Sequence, residues 1–143
     1  MLVKQILAGK PTQGVLTIEA GASVADAVAE LAARRIGALV VRGDGGPAGI
    51  LSERDVVREI ARQGAAVMER TVAELMTRDV QTATCAEDAV SVLARMTEGR
   101  FRHMPVLQDG ELVGVISLGD VVKARLSEVS MEKDALESMV AGY

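Results

Sequence analysis

The apolar and polar positions of the 143-residue chain follow two alternating periodicities. After Ser23 and again after Asp88, apolar residues recur three and four positions apart, which predicts two amphipathic helices. Ser and Asp are residue types that commonly cap helix N-termini. Each helix is followed by two short apolar segments around a DG pair, a pattern typical of a β-hairpin, and then by a further helical stretch. The chain therefore predicts helix, strand, turn, strand, helix, written twice.

The two halves of this pattern are copies of each other. A shift of 65 residues places residues 35–57 on residues 100–122 without a gap, and brings GILSERD (49–55) onto GVISLGD (114–120). Upstream, VKQIL resembles VAELM, with four extra residues afterwards in the first copy. This register predicts a tandem repeat. Since one copy is too small to bury its apolar face, we expect two copies packed about a pseudo-twofold axis, with clefts where they meet.

Composition narrows the possible functions. Hydrophobic residues make up 49% of the chain and charged residues 25%, which allows one globular core or two half-domains sharing one. The net charge of −4 and the 1% of aromatic residues argue against a nucleic-acid binder or an anionic-membrane binder. We see no signal-peptide pattern and a single cysteine, Cys85, so we expect a cytoplasmic protein with no disulfide framework.

The repeated GxxSxxD motif has two interpretations. Ser52 with Asp55, and Ser117 with Asp120, match a capping box at a strand-to-helix junction, which is a purely structural role. The same corner also suits a nucleotide, because a helix N-terminus favours a phosphate and a carboxylate can accept hydrogen bonds from both hydroxyls of a ribose. The sequence leaves both interpretations open.

Three other candidate chemistries are weak. GDGGPA (43–48) resembles a dinucleotide-binding fingerprint, but Pro47 and the strand that follows favour a hairpin. His103 is the single histidine, which is too few ligands for a histidine-based metal site. A serine hydrolase would need Ser52 or Ser117 activated by His103, and no G-x-S-x-G turn is present. We therefore expect no catalytic residues and no metal site.

As a set, the doubled GILSERD and GVISLGD motifs and FRHMPV (101–106) resemble the cystathionine β-synthase (CBS) domain, two of which in tandem form a Bateman module. The resemblance implies an α/β fold, a pseudo-twofold pair of small sheets each packed with two helices, plus a C-terminal helix. It implies a first domain over 1–65, a second over 66–126 and a helical extension over 127–143. It also implies clefts that bind AMP, ADP, ATP, NAD(H) or S-adenosylmethionine.

The resemblance assigns site residues to two clefts. In the family the motif Asp takes the ribose hydroxyls, the Ser lies near ribose or phosphate, and the adenine-side contacts come from the opposite copy. The first cleft would combine Ser52, Arg54 and Asp55 with Thr77, Val80, Gln81, Arg102, His103 and Met104. The second would combine Ser117 and Asp120 with Leu16, Gly37, Ala38 and Leu39.

The two clefts are expected to be unequal. Arg102 and His103 match phosphate-contacting positions of the family, whereas Gly37 and Ala38 take those places in the first copy. Arg54 stands beside Asp55 where Gly119 stands beside Asp120, so the Asp55 cleft is expected to be richer in phosphate partners. Lys10 is a possible cation for the second cleft. The sequence thus predicts a non-catalytic ligand sensor that binds an adenine nucleotide as regulatory ligand, forms a homodimer and signals to an unknown protein target. The alternative is a structural dimerisation adaptor with vestigial clefts.

Overall fold

The computed structural model describes residues 1–10 and 16–142. In chain order its elements are α1 (Val3–Ala8), β1 (Thr17–Glu19), α2 (Val24–Arg34), β2 (Ala38–Gly43), β3 (Gly46–Ser52), α3 (Glu53–Gln63), a 3₁₀ helix (Ala65–Glu69), α4 (Val72–Leu75), β4 (Ala83–Thr84), α5 (Ala89–Gly99), β5 (His103–Gln108), β6 (Glu111–Ser117) and α6 (Leu118–Val140). The expected helix–hairpin–helix pattern is therefore present twice. The four extra residues expected after VKQIL lie between Leu7 and Leu16. Residues 11–15 of this stretch are outside the described residues.

The local signals in the two copies produce matching geometry. Ser23 caps α2 and Asp88 caps α5, each accepting a hydrogen bond from a first-turn backbone amide, as predicted. Arg35 and Arg100, which are equivalent in the repeat, both end their helices in the left-handed conformation, with φ of 54° and 56°. Equivalent sequence thus gives equivalent backbone, even at an unfavourable φ for a residue with a side chain.

Each copy forms its own three-stranded sheet. In the first sheet β1 runs parallel to β2, and β2 is antiparallel to β3, with Ala38 opposite Ser52. In the second sheet β4 runs parallel to β5, and β6 is the other neighbour of β5. The two DG pairs occupy the hairpin turns between these strands, so GDGGPA (43–48) is a hairpin, as predicted. The fold class is therefore mixed α/β.

The described chain divides into two compact units that interleave in sequence. The unit that contains Asp55, called the Asp55 unit, comprises residues 16–81 and 109–113. The Asp120 unit comprises residues 1–10, 82–108 and 114–142. Each unit has a separate apolar core. The Asp55 unit buries residues such as Val24, Leu39 and Leu51, and the Asp120 unit buries residues such as Val3, Val92, Met96, Met104 and Ile116.

Helix α6 extends well beyond the repeat. Its first turns bury Val121 and Ala124 in the core of the Asp120 unit, whereas its later residues are exposed. The expected C-terminal helix is therefore present as a continuation of the last helix of the repeat. Over residues 1–10 and 16–142, the structure has no helix with the length and apolarity needed to cross a membrane.

Candidate functional site

Ser52 and Asp55 form a reciprocal cap where β3 passes into α3. Oδ2 of Asp55 accepts hydrogen bonds from the Ser52 amide and hydroxyl, both at 3.0 Å, and the Asp55 amide donates to Oγ of Ser52 at 3.2 Å. Asp55 is only 6% exposed. A buried carboxylate requires hydrogen-bond donors of this kind. The capping-box interpretation is confirmed at this corner, so any contact of Asp55 with a ligand would be additional to its structural role.

Arg58 completes the surroundings of Asp55. Its guanidinium donates from Nη2 to the remaining carboxylate oxygen, Oδ1 of Asp55, at 2.9 Å, and its side chain is more than half exposed. The two residues are three positions apart on α3, a spacing that brings side chains together on a helix. Both oxygens of the Asp55 carboxylate are therefore engaged within the Asp55 unit.

Ser117 and Asp120 form the same cap where β6 passes into α6. The Ser117 amide donates to Oδ2 of Asp120 at 2.8 Å, and the Asp120 amide donates to Oγ of Ser117 at 3.1 Å. This carboxylate is more accessible, with a quarter of its side chain exposed. Burial alone would raise the pKa of Asp120, but hydrogen bonds from Lys10 and Ser117 outweigh it, so the pKa lies below its usual value.

Lys10 reaches Asp120 from a distant part of the chain. Its ammonium lies 2.9 Å from Oδ2 of Asp120 and donates to the Val115 carbonyl at 2.8 Å. Aligning VKQIL with VAELM places Lys10 on Asp79, an acidic and exposed residue. The carboxylates of the two corners are thus held by different cations: Arg58 from the same helix for Asp55, and Lys10 from the segment after α1 for Asp120.

The first glycine of each motif permits close packing beside the corner. A side chain at Gly49 would lie 2.6 Å from the Thr77 carbonyl oxygen, and one at Gly114 would lie 2.7 Å from Cδ2 of Leu7. Met76 and Thr77 approach Gly49, and Leu7 approaches Gly114. Met76 and Leu7 are the last residues of the related segments VAELM and VKQIL, and Thr77 directly follows Met76. Because a side chain at either position would have no room, the glycines allow a helical segment to pack closely against each sheet.

Eight of the remaining predicted residues belong to the Asp55 unit. In the Asp55 unit, Thr77 pairs with Ile50 through two backbone hydrogen bonds, and the Gly37 carbonyl accepts from the amide of Glu53. In β2, Leu39 is buried and Ala38 is half-buried. The Leu16 carbonyl accepts a hydrogen bond from the Val40 amide. Val80 is half-buried, whereas Arg54 and Gln81 are exposed.

Besides Ser117 and Asp120, three predicted residues belong to the Asp120 unit. The Arg102 carbonyl accepts a hydrogen bond from the Leu118 amide at 2.7 Å, which places the Arg102 backbone at the start of α6. Next along β5, His103 is half-buried and Met104 is fully buried in the core. Met104 therefore supports the strand from within the core of this unit.

The sequence analysis did not identify Arg58, and it named Lys10 only as a possible cation for the second cleft. The signal for Arg58 was present, because an Arg three residues after an Asp on a helix is a common pairing. The signal for Lys10 was obscured by the unequal lengths of the two copies after VKQIL and VAELM. In the parts of the chain that the structure describes, no group of three His, Cys, Asp or Glu residues is placed to hold a metal ion.

Comparison with known proteins identifies the repeat. The profile of the CBS domain matches residues 3–62 and again residues 72–127. The mitochondrial CBS domain-containing protein CBSX3 of Arabidopsis thaliana is 35% identical over 125 residues, which is 84% of this chain and 61% of that protein. The chain therefore spans about three fifths of the length of this relative.

Solved structures of CBS-domain proteins match the fold. The CBS-domain containing protein ATU1752 of Agrobacterium tumefaciens is 42% identical, with a TM-score of 0.82 over 87% of this chain and 99% of that one. The CBS domain pair of protein MJ0100, solved in complex with 5′-methylthioadenosine and S-adenosyl-L-methionine, is 27% identical, with a TM-score of 0.76 over 90% and 98%. The chain therefore belongs to the CBS-domain family and carries a tandem pair of CBS domains, a Bateman module.

Proposed function

We propose that the chain is a non-catalytic sensor in which the Asp55 and Asp120 corners bind the ribose of adenosine-containing ligands. The observation that carries this proposal is the repeated placement of a carboxylate in the first turn of a helix, directly after a strand, in both units. The MJ0100 pair, which has the same fold, was solved with two adenosine derivatives. That likeness supports the ligand class, and AMP, ATP and NAD(H) are the regulatory ligands we propose within it.

Each corner offers the groups that a nucleoside needs. A carboxylate accepts hydrogen bonds from the 2′ and 3′ hydroxyls, and hydrogen bonds to a charged acceptor are stronger than neutral ones. The first-turn amides of α3 and α6 carry partial positive charge that favours a phosphate. Output would follow from a shift in the shape or assembly of the module, passed to a separate protein target in the cytoplasm.

The test is thermal unfolding of the chain with AMP, ATP, NAD(H) and, as a base control, GMP. A ligand that binds the native state raises its stability by about 2.7 kcal/mol at a concentration 100 times the Kd. We expect stabilisation by the adenosine ligands, and a loss of roughly 1.5–3 kcal/mol of binding free energy in Asp55→Ala or Asp120→Ala at the affected site.

Asp26→Ala is the matched control for these variants. Asp26 also follows a capping serine by three residues and lies in the first turn of a helix, α2, but it does not follow a GxxS corner at the end of a strand. We expect this variant to bind like the wild type. If Asp55→Ala and Asp120→Ala also bind like the wild type, both residues are only helix caps.

A specific observation favours the alternative function, dimerisation. Five exposed apolar residues of α6 are spaced alternately three and four positions apart, with Lys133 at one intervening position, as in a coiled-coil seam, whereas the exposed Met131 and Met139 lie outside this spacing. The seam comprises Val122, Leu126, Val129, Leu136 and Val140, of which Leu126 is 66% and Leu136 is 61% exposed. Its second half lies beyond the match to the CBS domain, which ends at residue 127.

We propose that a second copy of the chain covers this seam in an antiparallel arrangement. Pairing centred near Met131 stacks Leu126 of one copy on Leu136 of the other. The same register places Lys123 beside Glu137 of the other copy, an attractive pair of charges at the edge of the seam. The homodimer expected from the sequence would then depend on α6, whether or not the corners bind a ligand.

A further inference from the structure

We propose that Lys10 sets the charge preference of the Asp120 corner, so that this corner selects adenosine ligands with an anionic 5′ group over neutral or cationic ones. The inference rests on the proposed function of Asp120 as acceptor of the ribose hydroxyls. In the structure the Lys10 ammonium pairs with Oδ2 of Asp120 at 2.9 Å and also donates to the Val115 carbonyl. When ribose hydroxyls replace it on the carboxylate, the ammonium would transfer to the 5′ group of the ligand.

The competition follows from the contacts of Oδ2. This oxygen already accepts from the Ser117 amide and from Lys10, so a ribose that bonds to it must displace or weaken one of them. The Ser117 amide is fixed by the backbone of the β6–α6 junction. Lys10 is the partner that can move, because a lysine ammonium is carried on a flexible four-carbon stem.

The fate of the displaced ammonium decides which ligands are favoured. A neutral nucleoside takes the carboxylate from Lys10 and offers no anion in return. A 5′ phosphate supplies a new acceptor near the N-terminus of α6, where the first-turn amides also favour negative charge. A sulfonium at the same position, as in S-adenosylmethionine, would be repelled by the ammonium. The order of affinity at this corner should therefore be AMP, then adenosine, then S-adenosylmethionine.

Within residues 16–81, the described part of its unit that contains it, Asp55 is held by a cation of a different kind. Its cation, Arg58, lies on the same helix as Asp55 and bonds to Oδ1, the opposite oxygen from the one that forms the cap. The position equivalent to Lys10 in the other copy is Asp79, which has the opposite charge. A preference for ligands with an anionic group that is set by a lysine from a distant part of the chain is therefore proposed for the Asp120 corner.

The test is calorimetry with adenosine, AMP and S-adenosylmethionine in an Asp55→Asn background, so that binding reports the Asp120 corner. Lys10→Met keeps most of the stem and removes the charge. We expect AMP to bind about tenfold more weakly, since a charge-assisted hydrogen bond is lost. Adenosine should bind about two- to fivefold more tightly, because a partly exposed ion pair no longer competes for the carboxylate. S-adenosylmethionine should gain more than adenosine.

Two further variants separate charge from packing. Lys10→Arg keeps a cation and should retain the preference for AMP over adenosine. Lys4→Met removes an exposed lysine from α1, the helix that precedes Lys10, and should change none of the three affinities. Changes of opposite sign for AMP and adenosine cannot come from a merely destabilised fold, which would weaken all three ligands together.

The outcomes distinguish this inference from the function on which it rests. An AMP preference that is unchanged in Lys10→Met, or an equal loss for all three ligands, overturns the role of Lys10 and leaves the sensor proposal standing. Binding of none of the three ligands by the wild-type chain overturns the sensor proposal and the role of Lys10 with it.

Discussion

At the scale of single residues, duplication has produced two aspartates with the same cap and different surroundings. Asp55 is nearly buried and pairs with a neighbour on its own helix, whereas Asp120 is a quarter exposed and pairs with Lys10 from the distant segment after α1. A carboxylate that is accessible and held by a mobile cation can exchange partners more readily than a buried one. We therefore expect ligand binding to change the partners of the Asp120 carboxylate more than those of the Asp55 carboxylate.

The pairing of Asp120 with Lys10 predicts a dependence of stability on pH. The pKa of Asp120 is lowered from 3.8 in the folded chain, so its contribution to stability is fully present above that value and is lost as pH falls through the lower, folded pKa. Lys10→Met removes a main cause of the lowering. NMR titration of the Asp120 carboxyl should show a higher pKa in this variant, with a smaller loss of stability on acidification.

The comparison variant for this titration is again Lys4→Met, which should titrate like the wild type. If the pKa of Asp120 is the same in Lys10→Met as in the wild type, the ion pair does not hold in solution.

At the scale of elements, the two motif glycines differ in what lies against them. At Gly49 an added methyl group meets the Thr77 carbonyl, which cannot retreat easily because it accepts the Ile50 amide at 3.0 Å. At Gly114 it meets the end of the Leu7 side chain, which can rotate. Gly49→Ala should therefore destabilise the chain by about 1–3 kcal/mol, and Gly114→Ala by less.

Thermal melting of both variants measures this difference, since about 1 kcal/mol corresponds to roughly 2–4 °C or more in a chain of this size. Each variant serves as the control for the other, because both introduce the same methyl group at the equivalent strand position of the repeat. A larger fall in Tm for Gly114→Ala than for Gly49→Ala would show that the two close contacts are wrongly described.

The sequence predicted the elements that carry strong local signals. Both amphipathic helices of the repeat, their caps at Ser23 and Asp88, and the two DG turns follow from spacing and residue type alone. Strands β1 and β4 were missed because they are three and two residues long, too short to show an alternating pattern. Lys10 was uncertain because its contact with Asp120 joins residues far apart in the chain, and no local pattern specifies such a pairing.

At the scale of the whole molecule, α6 predicts how the chain assembles. We expect light scattering at micromolar concentration to give about twice the chain mass of 15.0 kDa. Leu126→Glu or Leu136→Glu should give monomers, because each places a charge in the proposed seam. Met131→Glu is the matched control, since Met131 is as exposed as Leu126, at 66%, but lies on the opposite face of the helix.

A wild-type monomer, with or without nucleotide, would contradict the dimer. Equal dissociation by Met131→Glu would show that the effect is one of general charge and not of the seam. A stable dimer that binds no nucleotide would favour the adaptor over the sensor.

The central claim is that the motif aspartates bind the ribose hydroxyls. The measurement that tests it most directly is a calorimetric double-mutant cycle with AMP and 2′,3′-dideoxy-AMP on the wild type, on Asp26→Ala, and on a chain with Asp55→Asn and Asp120→Asn, which keeps an amide oxygen for each cap. We predict that the wild type and Asp26→Ala prefer AMP by about tenfold or more, and that the doubly substituted chain shows no preference. An undiminished preference for AMP in the doubly substituted chain would contradict the claim.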